Sequence, residues 1–228
     1  MYLSIILLPM LSAMTTGLFG RFLGSKGSQI ITASSLGLSA IFSLVAFYEV
    51  GILGSVCYII GFKWIETDLL NLNFNFIFDS LTVVMLIVVT IVATLVTIYS
   101  IGYMSNDPHI PRFFTYLAIF TFAMLILVTS NNFLQLFIGW EGVGVSSYLL
   151  INFWYTRIQA NKAAIKAMIV NRVGDFGLIL GIMAVYYVFK SIDFSIVFAS
   201  AYYVFNVKFL FLNMEIDAIT LIGLLLFI

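Results

Sequence analysis

Long apolar runs separated by short polar stretches occupy most of this chain. Apolar runs of about 18 residues or more are typical of transmembrane helices. On that basis we predict six full spans, at about 2–19, 30–60, 81–101, 113–129, 131–151 and 167–189. A last apolar run, at 218–228, gives about 16 Å of helix, roughly half a membrane, and is predicted to be a partial seventh helix.

The polar stretch between the second and third spans has a different period. Over residues 71–76, Leu or Phe alternates with Asn, and a period of two is typical of a half-buried strand. We predict a short strand or hairpin near residues 71–78 on one membrane face, with an irregular loop as the alternative. The fold class is an all-α polytopic membrane protein with six to seven transmembrane helices and this one strand or hairpin.

Composition supports a membrane location. Hydrophobic residues make up 63% of the 228 residues and charged residues only 9%, whereas a soluble domain has about 25% charged residues. This low charged fraction makes membrane lipids the expected surroundings. The formal net charge is zero, and we therefore expect no basic patch for nucleic acid. Because there is one cysteine, Cys57, and one histidine, His109, we expect no internal disulfide, no metal site and no cofactor site in this chain.

The distribution of Lys and Arg predicts the orientation. The stretches after the first, third and fifth spans contain six basic residues: Arg21, Lys26, Arg112, Arg157, Lys162 and Lys166. The opposite side has three: Lys63, Lys190 and Lys208. Since basic residues stay on the side of synthesis, the amino terminus is predicted to lie on the other side.

Glu141 is the first candidate functional residue. It lies about 15 Å of helix rise after Asn131 in the fifth predicted span, which is about half of the hydrocarbon layer. A carboxylate at that depth costs about 2.5–3.5 kcal/mol on insertion scales, so a proton-carrying role is the favoured interpretation. The alternative is a permanently protonated glutamate that only helps the helices to pack.

Arg172 and Asp175 are the other candidates. They are three residues apart in the sixth predicted span and can pair on one helix face. We expect them at the basic end of that span, with Asp175 nearer to water than Glu141. The alternative is an interfacial salt bridge whose arginine extends to water.

Four stretches together resemble one family. They are FDSLTVVMLIVVT (78–90), YSIGYMSNDPHIPRFF (99–114), NNFLQLFIGWEGVGVSSYLLI (131–151) and KAAIKAMIVNRVGDFG (162–177). This combination resembles NADH dehydrogenase subunit 5, the antiporter-like proton-pumping membrane subunit of respiratory complex I, in a form similar to that of plant mitochondria. The resemblance extends over essentially the whole chain. It implies that the chain corresponds to the amino-terminal portion of that subunit.

The resemblance implies an antiporter-like helix bundle and roles for the candidates. Residues 1–112 would hold helices one to three with the surface hairpin. Residues 113–228 would hold the first part of the proton-channel repeat, namely helices four to six and the first half of a broken helix seven. Glu141 would be the family's essential glutamate, and Asp175 the acid of N-R-V-G-D, which also contains Arg172. A lysine opposite Glu141 would lie beyond residue 228.

The implied function is proton translocation within NADH:ubiquinone oxidoreductase, with no redox chemistry in this chain. NADH, FMN, iron–sulfur clusters and ubiquinone would be bound by other subunits. The implied location is the mitochondrial inner membrane, with the amino terminus towards the intermembrane space and other membrane-arm subunits as partners.

Several alternatives remain open. The same fold serves subunits of multi-subunit cation/proton antiporters and of plastid NADH-dehydrogenase-like complexes, and a non-pumping structural half-subunit is a further possibility. Because the last apolar run is half a span, we expect a second polypeptide carrying the rest of the subunit to pack against 221–228. The alternative is a fragment of one longer chain.

Overall fold

The computed structural model describes residues 1–67, 70–204, 207–211 and 214–227. Within those ranges, five helical segments are long and apolar enough to cross a membrane. The first is α1 (Tyr2–Ala46) with the π-helix Phe47–Ile52 that continues it. The others are α2 (Ser80–Tyr103), α3 (Ile110–Val128), α4 (Phe133–Ile151) and α5 (Ile158–Phe189).

Helix α1 is two antiparallel passes joined at Gly24. That glycine has φ 67° and ψ −173°, outside the helical region. Ser39 Oγ donates to the Ile5 carbonyl at 2.8 Å, although a straight helix would separate these residues by about 50 Å. The Tyr2 hydroxyl likewise donates to Glu49 Oε2 at 2.6 Å. The five segments therefore contain the six predicted passes.

The predicted end of the second span is wrong. The helix ends in the π-turn at Ile52, and Gly54 follows with φ 72°, a conformation that glycine adopts without a steric penalty. Residues from Cys57 onwards belong to strand β1 (Cys57–Glu66), where β-branched and aromatic residues favour extended backbone. The continuous apolar character of 52–60 gave no sign of this change of period.

The predicted strand is confirmed as β2 (Asn71–Phe78). It pairs antiparallel with β1, from Cys57 opposite Phe78 to Glu66 opposite Asn71, with irregular register at two points. The hairpin lies at the ends of α3 and α4, because the Ile77 N–H donates to the Thr129 carbonyl at 3.0 Å. The Asn132 amide also donates to the Asn73 carbonyl at 3.1 Å.

Local capping explains where α2 and α4 begin. Asp79 precedes α2 and accepts from the Thr82 N–H, while the Thr82 hydroxyl accepts from the Asp79 N–H, which forms a capping box. Asn132 precedes α4 and accepts from the Gln135 N–H at 2.7 Å. These polar caps satisfy backbone donors at helix ends.

Helices α3 and α4 are joined by a short turn and are antiparallel neighbours. A Cβ at Gly139 would lie 2.6 Å from the Leu127 Cα, and a Cβ at Gly142 would lie 2.9 Å from the Ala123 Cβ. Close approach of this kind is the usual role of small residues in membrane helix pairs. Helix α3 also packs against α1 and α2 and so occupies the centre of the amino-terminal bundle.

Helix α5 begins earlier than predicted. It starts at Ile158, so the basic stretch with Lys162 and Lys166 is helical rather than a loop. Ala, Lys and Gln are strong helix formers, and Arg157 remains just before the first turn.

The stretch after α5 contains several short elements. Helix α6 (Phe194–Ser200) is followed by the 3₁₀ turn Ala201–Val204. An unpredicted hairpin follows, with β3 (Lys208–Phe211) antiparallel to β4 (Met214–Asp217). Helix α7 (Ala218–Phe227) then packs on α5, and Ile228 of the predicted docking segment lies outside the described residues.

The polar segments sort to two ends of the bundle, as the alternating spans predict. At one end, Arg21 and Arg112 line the same cavity, and Trp154 Nε1 donates to Asp107 Oδ2 at 2.9 Å. At the other end, Tyr2 meets Glu49 and an antiparallel bridge joins Asn132 to Asp193. We call the first end the basic end and the second the hairpin end.

Candidate functional site

Glu141 lies close to the middle of α4. The helix rise is about 12 Å from Phe133 to Glu141 and about 15 Å from Glu141 to Ile151. A helix of 19 residues spans about 28 Å, close to the thickness of the hydrocarbon layer. The predicted mid-membrane depth of Glu141 therefore agrees with the helix bounds.

Arg172 on α5 joins Glu141 to Asp175. Its Nη1 donates to Glu141 Oε1 at 2.6 Å and lies 3.7 Å from Asp175 Oδ2. The predicted pairing of Arg172 with Asp175 is present, but the shorter contact goes to Glu141. The structure thus brings all three predicted site residues into one cluster across the α4–α5 interface.

Trp140 adds a fourth member that the sequence did not reveal. Its indole Nε1 donates to Asp175 Oδ1 at 2.8 Å. Because Trp140 directly precedes Glu141, one turn of α4 contacts both Arg172 and Asp175 on α5. Neighbouring Glu and Trp in the sequence gave no signal for this, since the contact depends on how α5 is rotated against α4.

The expectation that Asp175 lies at the basic end of its span is wrong, and its side chain is more buried within this chain than that of Glu141. The Asp175 side chain is 6% exposed, against 26% for Glu141 and 54% for Arg172. Asp175 is also far from the basic end of α5, at about 26 Å of rise from Ile158. The sequence argument failed because it began the helix near Ala167, whereas α5 extends nine residues further.

The cluster combines one guanidinium with two carboxyl groups. A guanidinium remains charged at any physiological pH, so the cluster with both carboxylates ionised has a net charge of about −1. Burying an uncompensated charge in a poorly solvated region is costly.

The residues needed for a metal or redox site were expected to be missing. Within the described ranges, no group of three or more His, Cys, Asp or Glu side chains is close enough to hold a metal ion. Cys57 is a free thiol on β1 and lies at the hairpin end, away from the cluster.

Two family models match the chain. Residues 64–114 match the model of the chain 5 N-terminus of NADH-ubiquinone oxidoreductase, complex I. Residues 130–228 match the transmembrane model of NADH:quinone oxidoreductase and the Mrp antiporter, and this range includes Glu141, Arg172 and Asp175. Together the two models account for more than half of the chain. The chain belongs to the complex I chain 5 family.

Relatives of known identity agree with this complex I chain 5 assignment. NADH-ubiquinone oxidoreductase chain 5 of Marchantia polymorpha is 60% identical over 100% of this chain, and that of Arabidopsis thaliana is 58% identical over 100%. The chain 5 protein of Chondrus crispus is 53% identical. The chain spans 34% of the length of each of these relatives.

A solved structure shows the same fold at low sequence identity. A chain of the membrane-bound sulfane sulfur reductase, an archaeal respiratory membrane complex, superposes with a TM-score of 0.73 at 16% identity. The match covers 85% of this chain and 38% of the archaeal one. The antiporter-like helix bundle predicted for this chain 5 member is therefore found in a respiratory membrane complex.

Proposed function

We propose that this chain forms part of the proton-translocating membrane subunit of a respiratory NADH:ubiquinone oxidoreductase. The observation that carries the proposal is the position of Arg172 between Glu141 and Asp175, at mid-depth of a membrane helix. Such a cluster accepts one proton without leaving net charge in the membrane. The chain contributes a proton half-channel, and electron transfer takes place elsewhere in the complex.

In this proposal the chain binds no cofactor of its own. NADH, FMN, the iron–sulfur clusters and ubiquinone belong to other subunits, and coupling reaches this chain through its contacts with the membrane arm. The relatives are named as chain 5 of an NADH-ubiquinone oxidoreductase.

The proposed location is the mitochondrial inner membrane, with the amino terminus on the intermembrane-space side. The apolar helices and the chain 5 relatives support an energy-converting membrane. The orientation rests on the basic end, which holds Arg21, Lys26, Arg112 and Arg157 and belongs on the matrix side. A second polypeptide supplying the rest of the subunit stays a prediction, and so does the division of the chain at residue 112.

A cation/proton antiporter subunit is the second candidate. The family model over residues 130–228 covers both classes, and the cluster would serve exchange of a proton for a cation equally well. The chain 5 model over 64–114 favours the respiratory subunit.

The test is to purify the assembly through an affinity tag on this chain. The proposal predicts co-purification of flavin and iron–sulfur proteins, with NADH:ubiquinone activity in the eluate that acidifies one side of reconstituted vesicles. An assembly without flavin that exchanges sodium for protons would instead identify an antiporter. A redox-active assembly whose proton yield does not depend on Glu141 would leave this chain a structural component.

A further inference from the structure

A basic cavity lies at the basic end, apart from the Glu141 cluster. It has a volume of about 520 Å³ and lies between the first pass of α1 and the start of α3. The ten lining residues are Thr16, Gly17, Gly20, Arg21, Pro108, His109, Pro111, Arg112, Thr115 and Tyr116. Three of these side chains can be cationic, and none is acidic.

Small residues let the two helices enclose this space. A Cβ at Gly20 would lie 3.1 Å from the Pro111 Cβ, and a Cβ at Gly17 would lie 3.1 Å from Thr115 Cγ2. Deeper between the helices, the Thr115 hydroxyl donates to Thr16 Oγ1 at 3.1 Å. The cavity therefore has a polar, hydroxyl-lined floor within the helix pair and arginines at its mouth.

The two arginines have unused hydrogen-bond donors. Arg112 Nε donates to the Tyr116 hydroxyl at 2.9 Å, and the guanidinium also engages Tyr155, whose ring centroid lies 5.3 Å from Cζ. These contacts use only part of its five N–H donors, and both arginines are exposed. Among the described residues, neither Arg21 nor Arg112 has a carboxylate oxygen within 4 Å. Bidentate recognition of phosphate is a characteristic use of guanidinium groups.

Asp107 is the acidic group nearest in sequence to the cavity lining, and it is already engaged. It accepts from the His109 N–H at 2.9 Å and from Trp154 Nε1 at 2.9 Å. These hydrogen bonds hold the pKa of Asp107 below its usual value, so it stays ionised. Two arginines and one carboxylate still leave an excess of positive charge beside the cavity, to which His109 adds when protonated.

The surface next to the cavity is suited to acyl chains. Leu18 and Phe22 flank Arg21 on α1 and are 71% and 89% exposed. A charged mouth beside exposed apolar side chains matches a molecule with an anionic head and hydrocarbon tails. Free phosphate would use only the first of these features.

We propose that this cavity binds the phosphate headgroup of an anionic membrane phospholipid, with Arg21 and Arg112 as its ligands and the acyl chains along Leu18 and Phe22. The N-terminal end of α3, whose first residues line the cavity, adds partial positive charge. Basic cavities between membrane helices on the positive side are a recurring mode of headgroup binding. The lipid stabilises the contact of α1 with α3 and does not take part in proton transfer.

The test compares lipid binding by the purified, delipidated complex carrying Arg21→Gln, Arg112→Gln or both. Native mass spectrometry would count bound lipid after titration with phosphatidylglycerol, with phosphatidylcholine, and with inorganic phosphate as competitor. The expected loss of phosphatidylglycerol affinity is about fivefold for each arginine and about 25-fold for the double variant. Lys26→Gln is the matched control, because it removes a charge at the same end but outside the cavity, and it should leave affinity unchanged.

Three results would overturn the proposal: equal affinity in the double variant and the Lys26→Gln control, full competition by millimolar phosphate, or equal binding of phosphatidylcholine. If the double variant fails to assemble, a photoactivatable phosphatidylglycerol applied to the unmodified complex decides. It should label peptides spanning 16–22 and 108–116. Two results together would assign the cavity to a protein partner. The lipid would label other peptides, and a cross-linker would join Arg21 or Arg112 to an acidic segment of another subunit.

Discussion

At the residue scale, Glu141 and Asp175 each place one carboxylate beside the same arginine, Arg172. Glu141 has the shorter contact to Arg172, while Asp175 is more buried and accepts from Trp140. Under the proposed function, removing either acid leaves one arginine and one carboxylate, a pair that is neutral without an added proton. The shared arginine therefore makes the site depend on both acids.

Asp175→Asn tests this dependence. We predict that it lowers proton yield per NADH to about a tenth or less, a loss typical of removing a proton-transfer group, and comparable with the loss in Glu141→Gln. The measurement is dye-monitored acidification of membrane vesicles at matched NADH oxidation rates. A yield near wild type would mean that Asp175 only anchors Arg172.

Trp140→Phe tests the contribution of the indole donor. The substitution keeps the ring but removes a hydrogen bond to a charged group, worth about 1.5–3 kcal/mol. We predict a clear fall in proton yield with normal assembly. Trp154→Phe is the control, because it removes an equivalent bond to Asp107 at the basic end. Equal effects of the two variants would count against a specific role for Trp140.

The sequence could predict the members of this site but not its connections. Glu141 is conspicuous because charge is rare at mid-helix, and Arg172 with Asp175 because three-residue spacing places them on one face. The contact of Arg172 with Glu141 depends on the rotation and depth of α5 against α4. Periodicity along one helix contains no information about either quantity.

At the scale of elements, the closeness of α3 to α4 holds the cluster's helix in place. Gly139→Ala would put a methyl group 2.6 Å from the Leu127 backbone, which cannot move without displacing α3. We predict a loss of about 1–3 kcal/mol in stability, seen as a lower melting temperature or reduced assembly on native gels. Gly144→Ala is the matched control, since nothing lies within 4 Å of its added Cβ. Equal stability of the two variants would contradict this packing.

Elements with strong local signals were predicted correctly, and those without them were not. The Asn alternation predicted β2. The predicted span starts at 81 and 131 lie within two residues of the observed starts of α2 and α4, which Asp79 and Asn132 cap. Strand β1 was missed because its first residues continue an apolar run that also suits a helix. The β3–β4 hairpin was missed because four-residue strands are too short for a period to be visible.

At the scale of the whole molecule, the alternation of passes places four basic residues at one end: Arg21, Lys26, Arg112 and Arg157. The contact of Trp154 with Asp107 and the cavity shared by Arg21 and Arg112 confirm that these segments meet. Which compartment this end faces is the remaining prediction, and it rests on the Lys/Arg asymmetry.

Cysteine accessibility tests the orientation. In a Cys57→Ser background, Asn106→Cys at the basic end should react with an impermeant maleimide only from the matrix side. Thr67→Cys at the hairpin end should react only from the intermembrane space. Both positions are exposed. The reverse pattern would invert the proposed topology.

The most direct test of the central claim is proton yield in the assembled complex carrying Glu141→Gln. Glutamine preserves size and can still accept from Arg172, so the helix should insert and the complex should assemble. We predict a fall in protons moved per NADH to about a tenth or less of the wild-type value. Glu66→Gln, which removes an exposed carboxylate paired with Lys63 in the hairpin, should pump normally. A wild-type proton yield in assembled Glu141→Gln complex would contradict the account and leave Glu141 as a packing residue.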